Sequence, residues 1–137
     1  MLFIFDANYP PDFVKGLSII DKADKHSKIP VEVIFSGDFM GSVDCDDEEI
    51  IIKASNRNAV IITQDRDFKK IKHYRALMQE HQVGYIFFRI PNGKHLFWDI
   101  VKSFINSWAE IKENVSKSEH PFAFEINKKG ELSPLTF

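Results

Sequence analysis

Acidic residues in three separate segments are the groups in this sequence best suited to chemistry. Asp6 follows a short apolar run, four acids occupy positions 46–49, and Asp65 and Asp67 follow a second apolar run. Carboxylates held close together repel one another unless a cation compensates their charge, and oxygen ligands without His or Cys favour Mg²⁺ or Mn²⁺ over Zn²⁺. Because Mg²⁺ usually completes its shell with substrate phosphate, this chemistry indicates a phosphate ester as substrate.

Each acidic segment also has a purely structural interpretation. The acids at positions 46–49 suit the N-cap and first turn of a helix, where negative charge is favourable. Asp65 and Asp67 suit a turn and a cap, and Asp6 suits a turn at the end of a strand. The metal-site hypothesis therefore depends on whether the fold brings the three segments together.

The pattern of apolar residues predicts strands and helices in alternation. Continuous apolar runs predict strands at 2–5, 31–35, 60–63 and 83–90. Helical spacing predicts helices at about 11–21, 46–55, 71–78 and 96–115, the first with Phe13, Leu17 and Ile20 on its apolar face. The glycines between Ser36 and Cys45 predict a loop.

Two apolar stretches near the end of the chain predict a hairpin. They lie at 122–126 and 131–135, with Gly130 at the left-handed position of the turn. We expect this hairpin to close an edge of the sheet.

A βαβαβαβα order implies a mostly parallel sheet covered on both faces. Ligands bind such sheets outside the carboxyl ends of the strands. In a 2-1-3-4 strand order, the first and third strands are neighbours, so Asp6 and Asp65 would lie on the same edge of the sheet.

The composition restricts the class of protein. With 137 residues, 44% of them hydrophobic, the chain fits one domain with a sizeable core. The lone Cys45 excludes an internal disulfide and offers no zinc spacing, and no apolar stretch is long enough to span a membrane. We therefore expect a cytoplasmic protein without a membrane partner.

Charge and aromatic residues suggest where a polyanion could bind. Residues 1–60 hold eleven acids and six Lys or Arg, whereas residues 61–137 hold nine acids and twelve Lys or Arg. The basic run at 69–75 includes Lys69, Lys70, Lys72 and His73 and suits either phosphate contacts or a solvated helix face. Either tryptophan could stack on a base, but Trp108 lies on the apolar stripe of the last helix and is expected to be buried, while the role of Trp98 stays open.

The acidic segments resemble the small PIN-like domains that begin Asp-x-Asn-hydrophobic-Pro. The resemblance extends over residues 2–90, and its most specific part is the strand followed by Thr-x-Asp-x-Asp-Phe. The matching segments are Phe3-Ile4-Phe5-Asp6-Ala7-Asn8-Tyr9-Pro10, Asp47-Glu48-Glu49-Ile50 with Ala54, and Val60-Ile61-Ile62-Thr63-Gln64-Asp65-Arg66-Asp67-Phe68.

The resemblance implies a PIN-like three-layer α/β sandwich at residues 1–116, followed by a tail at 117–137 that packs on or extends the same domain. It also implies a Mg²⁺- or Mn²⁺-dependent ribonuclease, often the toxin of a toxin–antitoxin pair. It assigns Asp6, Asp47, Asp65 and Asp67 to the metal site, with Asn8, Glu48 and Thr63 in supporting roles. Which of Asp46, Asp47, Glu48 and Glu49 is the second acid stays open.

The leading hypothesis from the sequence is a metal-dependent endoribonuclease. Asp6, Asp47 and Asp65 would hold the metal, Asp67 would position the attacking water, and Lys69, Lys70 and Lys72 would guide RNA. The expected partners are an RNA substrate and an antitoxin protein, and the sequence leaves open whether the chain forms a homodimer. The rival hypotheses are a catalytically silent PIN-like module that binds RNA or protein and, ranked lower, an aspartyl-phosphate phosphoryl-transfer domain.

Overall fold

Six strands form one mixed sheet in the computed structural model of the chain, which describes residues 1–42, 44–64, 72–88, 97–127 and 129–135. The strands are β1 (Leu2–Phe5), β2 (Glu32–Phe35), β3 (Ala59–Thr63), β4 (Gly84–Phe88), β5 (Ala123–Ile126) and β6 (Leu132–Pro134). Their order is β2-β1-β3-β4-β5-β6. Neighbouring strands are parallel except for β5 and β6, which are antiparallel.

Five helices lie within the described ranges. They are α1 (Pro11–Ala23), α2 (Ser36–Met40), α3 (Asp47–Lys53), α4 (Lys72–Glu80) and α5 (Phe97–Ser116). None of these helices combines the length and the apolar character needed to cross a bilayer. Together with the sheet they confirm the predicted α/β class and the 2-1-3-4 strand order.

Alternating side chains of the central strands fill two hydrophobic clusters, one on each face of the sheet. Phe3 and Phe5 belong to a cluster with residues of α1 and α5. Leu2 and Ile4 belong to a second cluster, with residues of α2, α3 and α4. This period of two, with both faces buried, explains why the parallel strands are continuous apolar runs in the sequence.

The C-terminal hairpin is present as predicted. Strand β5 lies beside β4, and β6 turns back to form the edge of the sheet. Gly130 has a φ of 81°, a left-handed conformation that costs glycine little because it has no Cβ.

Two local predictions were wrong. The segment from Ser36 was expected to be a loop, but α2 follows β2 directly and ends at Gly41, whose φ is 76°. Burial of Phe39 in the second cluster stabilises this short helix despite its glycine. Ile20 was placed on the apolar face of α1, yet it is 61% exposed, and the buried residues of that helix are Phe13, Val14 and Leu17.

Candidate active site

Asp6 lies at the carboxyl end of β1 and is held there by backbone hydrogen bonds. Its N–H donates to Ile62 O of β3 at 3.0 Å, and its own carbonyl accepts the Tyr9 N–H at 3.2 Å. Its Oδ1 accepts the N–H of Asn8 at 3.0 Å. Asp6 is only 6% exposed, whereas Asn8 is exposed and supports the carboxylate through its backbone. The sheet and the following turn thus determine where this acid lies.

Tyr9 is a polar residue next to Asp6 that the sequence did not predict as a site residue, although it lies within the motif Asp6-Ala7-Asn8-Tyr9-Pro10. Its side chain is fully buried among the rings of Phe5, Phe13 and Phe104, with centroids 5.1 to 6.3 Å from its own ring. Burial raises the pKa of Tyr9 well above its ordinary value, the negative charge of Asp6 raises it further, and the Gln64 side chain acts in the opposite direction. Tyr9 therefore stays protonated at neutral pH.

The end of β3 brings a second set of polar groups to the same edge. Phe5 is in register with Ile62, so Thr63 and Gln64 follow at the level of Asp6. Thr63 is fully buried, and Gln64 is half-buried. Among the described residues, Tyr9 Oη and Gln64 Nε2 are shielded from solvent and have no partner at hydrogen-bond geometry. The only sequence signal for these two residues was proximity to the predicted acids: Tyr9 lies three residues after Asp6, and Gln64 directly precedes Asp65.

Four predicted site residues fall outside the described residues. They are Asp65, Asp67, Lys69 and Lys70. Lys72 is described, and it is the exposed first residue of α4.

The acids that begin α3 differ from one another in their contacts. Asp46 is the N-cap, and its Oδ1 accepts the N–H of Glu49 at 2.9 Å. Glu48 contacts His73 of α4, with Oε2 and Nε2 3.2 Å apart and both side chains about half-exposed. Asp47 is half-buried in the first helical turn. The structural interpretation of this segment is therefore correct for Asp46.

A family model described as a PIN-like domain matches residues 1–89. The chain belongs to the PIN-like domain family. No curated protein and no solved structure matches it. The matched part of the PIN-like domain contains β1 to β4 and both described acidic segments, whereas α5 and the hairpin follow it.

The donor groups of this PIN-like domain suit a hard divalent cation. Asp6, Asp47, Thr63 and Gln64 offer carboxylate, hydroxyl and amide oxygens, the ligand types that Mg²⁺ and Mn²⁺ prefer. In the part of the chain that the structure describes, no three His, Cys, Asp or Glu side chains form a group able to hold a metal ion. Mg²⁺ is commonly bound through only one or two carboxylates together with water and substrate phosphate, so these residues are compatible with the ion.

Proposed function

We propose that this PIN-like domain is a divalent-metal-dependent endoribonuclease whose active site is at the carboxyl edge of β1 and β3. The observation that carries the proposal is the Asp6 carboxylate, buried and oriented by backbone hydrogen bonds at that edge, in a family whose members are often nucleases. Parallel α/β sheets bind their ligands at this edge.

Asp6 is the central ligand in the proposal, Asp47 and Asp65 complete the protein's contribution, and Asp67 positions the attacking water. When bound, Mg²⁺ or Mn²⁺ would supply Lewis acidity and neutralise charge that develops on the phosphoryl oxygens. Thr63 and the backbone amide of Asn8 keep the edge of the sheet in place around Asp6.

Burial at the start of α3 supports Asp47 as the second acid over Asp46 and Glu49, which are exposed. Asp46 caps the helix, and Glu48 contacts His73. Asp47 is more buried than its neighbour Asp46, as expected of a residue that faces a site. Glu48 then has a supporting role, because it joins α3 to α4 next to the acids.

Positive charge at the start of α4 gives RNA a way to approach an acidic site. Lys72 is exposed, and Lys69 and Lys70 precede it in the sequence. We propose that the three lysines bind phosphates. Their joint replacement by Gln should weaken RNA binding and flatten its salt dependence without changing metal affinity, whereas an unchanged salt slope would leave them as a solvated face.

An RNA cleavage assay tests the proposal directly. Labelled single-stranded RNA is incubated with the full chain in Mg²⁺, in Mn²⁺ and in EDTA. We expect internal cleavage that needs the metal and disappears in Asp6→Asn. The matched control is Asp24→Asn, which makes the same charge change at an exposed residue at the far end of α1. Absence of cleavage by the folded wild-type chain in both metals would overturn the proposal and leave a silent binding module.

The biological role that we propose is that of a toxin restrained by an antitoxin. A small ribonuclease with an open site requires a restraint, and an antitoxin could place an Arg beside Asp6 and Asp47, since its fork of donors pairs well with carboxylates. The hairpin edge at β6 offers a second docking position by strand addition. Induced expression in a bacterium should arrest growth, and Asp6→Asn should relieve the arrest. A soluble, well-expressed wild-type chain that leaves growth unchanged would contradict the toxin role.

A further inference from the structure

Two exposed aromatic side chains stand at the start of α5, on the same edge of the sheet as Asp6. Trp98 is 75% exposed and Phe97 is 41% exposed. Their ring centroids are 5.4 Å apart, with the planes at 78°, so the edge of one ring meets the face of the other. The two adjacent rings form an exposed apolar patch, a type of surface that often marks a binding site.

The packing of α5 shows how this pair is placed relative to the proposed active site. Phe104 packs against Phe5, the last residue of β1, and against Tyr9, with centroids 5.1 and 6.2 Å apart. Trp98 precedes Phe104 by six residues, about 9 Å along the helix axis. Strand β5 begins beside Tyr85 at the start of β4, so α5 runs from the carboxyl edge back along the sheet. The first turns of α5 therefore extend beyond the strand ends, on the side where Asp6 and Tyr9 lie.

A positive charge accompanies the exposed ring. Lys102 is exposed and lies one helical turn after Trp98, so the two side chains share a flank of α5. Asp99 is the adjacent residue, and consecutive positions of a helix point in different directions. An aromatic face next to a cation suits a nucleotide, because the ring stacks on the base and the cation meets the phosphate.

We propose that Trp98 is a stacking platform for an unpaired base of single-stranded RNA, with Lys102 binding an adjacent phosphate. The platform rests on the proposed ribonuclease function and deepens it, because it selects unstacked, single-stranded substrate at the entrance to the acidic site. Stacking is tolerant of sequence, since every base has an aromatic face.

Tryptophan fluorescence gives a direct test, because the chain has only two tryptophans and the other, Trp108, is buried and donates to Asp21. The full chain is titrated in EDTA with a single-stranded RNA of about ten nucleotides. We expect saturable quenching in the wild type and none in Trp98→Phe, whose affinity, measured by anisotropy of labelled RNA, stays within about threefold because the phenyl ring still stacks. Trp98→Ala should bind about tenfold more weakly.

Ile105→Ala is the matched control, since Ile105 is an exposed apolar residue on the same flank of α5 without an aromatic face. We expect its RNA affinity to equal that of the wild type. An equal loss in Ile105→Ala and Trp98→Ala, equal quenching by duplex RNA, or emission that changes with protein concentration alone would each overturn base stacking.

Cleavage measured on the same proteins separates this inference from the proposed function. Metal-dependent cleavage without quenching of Trp98 would refute the platform and leave the ribonuclease proposal standing. Quenching that is lost in Trp98→Phe, together with no cleavage in either metal, would support the platform and refute the ribonuclease. Absence of both RNA binding and cleavage would refute both.

Discussion

The carboxyl and amino edges of the parallel sheet use their polar side chains in different ways. At the carboxyl edge, where the parallel strands end, Asp6 Oδ1 accepts an N–H from a residue two positions away. Toward the amino edge, where they begin, Asp21 Oδ1 accepts hydrogen bonds from Trp108 Nε1 at 2.9 Å and from Lys112 Nζ at 2.8 Å. Asp6 is oriented by a hydrogen bond within its own turn, whereas Asp21 joins two helices that are distant in the sequence.

We expect this difference to separate the residues of the proposed function from those that stabilise the fold. Acids placed by a strand end can serve chemistry without supporting the fold, while a buried pair that links α1 to α5 supports the fold without facing a ligand. Changes at the carboxyl edge should therefore alter activity, and changes at the amino edge should alter stability.

The largest expected effect is on activity at the carboxyl edge. Asp6→Asn should lower metal-dependent RNA cleavage on the order of 10³-fold, because it removes the central carboxylate of the proposed site, while the melting temperature stays within a few degrees. The cleavage rates and melting temperatures of Asp6→Asn and of the control Asp24→Asn measure the effects on activity and on stability. Residual cleavage above a tenth of the wild-type rate would remove Asp6 from the chemistry.

Asp21→Ala should cause the largest loss of stability. It leaves the Lys112 ammonium buried without its carboxylate and removes the acceptor of Trp108, which should lower the free energy of unfolding by about 3–5 kcal/mol. Urea denaturation measures this loss. The double variant with Lys112→Met should recover part of it, because no unpaired charge remains in the interior. A loss below about 1 kcal/mol would show that the pair does not join the helices.

Close packing at the amino edge gives the next prediction. A Cβ on Gly84 would come within 2.5 to 2.9 Å of atoms of the Phe122 ring, so Gly84→Ala should destabilise the fold by about 1–3 kcal/mol. Gly16 in α1 is the matched control, since a Cβ there meets nothing within 4 Å. Gly16→Ala should stabilise by about 0.5–1 kcal/mol through the helix propensity of alanine. Equal melting temperatures for the two variants would contradict the packing argument.

The acids that begin α3 test whether one residue at the carboxyl edge stabilises the fold while its neighbour binds the metal. Asp46→Ala should cost about 1 kcal/mol through loss of the cap and leave Mn²⁺ affinity unchanged. Asp47→Asn should weaken Mn²⁺ binding with little change in stability, because it removes a proposed ligand. Calorimetric titration and chemical unfolding of both variants give the comparison, and an interchange of the two results would assign the metal to Asp46.

The smallest effect concerns half-buried His120. Burial lowers the pKa of His120 below its usual 6.5, so the folded state disfavours its protonated form. The unfolded chain then binds the proton more readily, and stability should decrease as the pH falls below about 6.5. His120→Gln should reduce this decrease by less than about 1 kcal/mol, since solvent screens the site. Melting temperatures of the wild type and the variant at pH 7 and pH 5 measure the effect. A larger loss of stability at pH 5 in the variant than in the wild type would contradict the lowered pKa of His120.

Much of the fold was predictable because its signals are local. Apolar runs of four or five residues indicated the parallel strands, because both faces of these strands are buried. The row of acids indicated the start of α3 because a helix N-terminus favours negative charge and needs a capping oxygen. The positive φ of Gly130 was predictable because glycine adopts left-handed backbone without strain.

The site was predictable only in part. The position of Asp6 at a strand end followed from the sequence, but Tyr9 and Gln64 were not recognised as its neighbours. Tyr9 is buried by rings of α1 and α5, and Gln64 comes close to Asp6 because β1 pairs with β3. The sequence also did not show which acid of α3 makes which contact. The Asp46 contact depends on the geometry of the helix cap, and the Glu48 contact depends on where α4 packs.

By itself, the sequence determined the order and type of the main elements and the residue that ends β1, since these depend on side-chain type and spacing over a few positions. Tertiary structure alone decided that Ser36–Met40 is helical and that Ile20 and Trp98 face solvent. Those outcomes depend on which apolar side chains find partners across the fold, because burial against distant residues outweighs local preferences of at most about 1 kcal/mol per residue, proline apart.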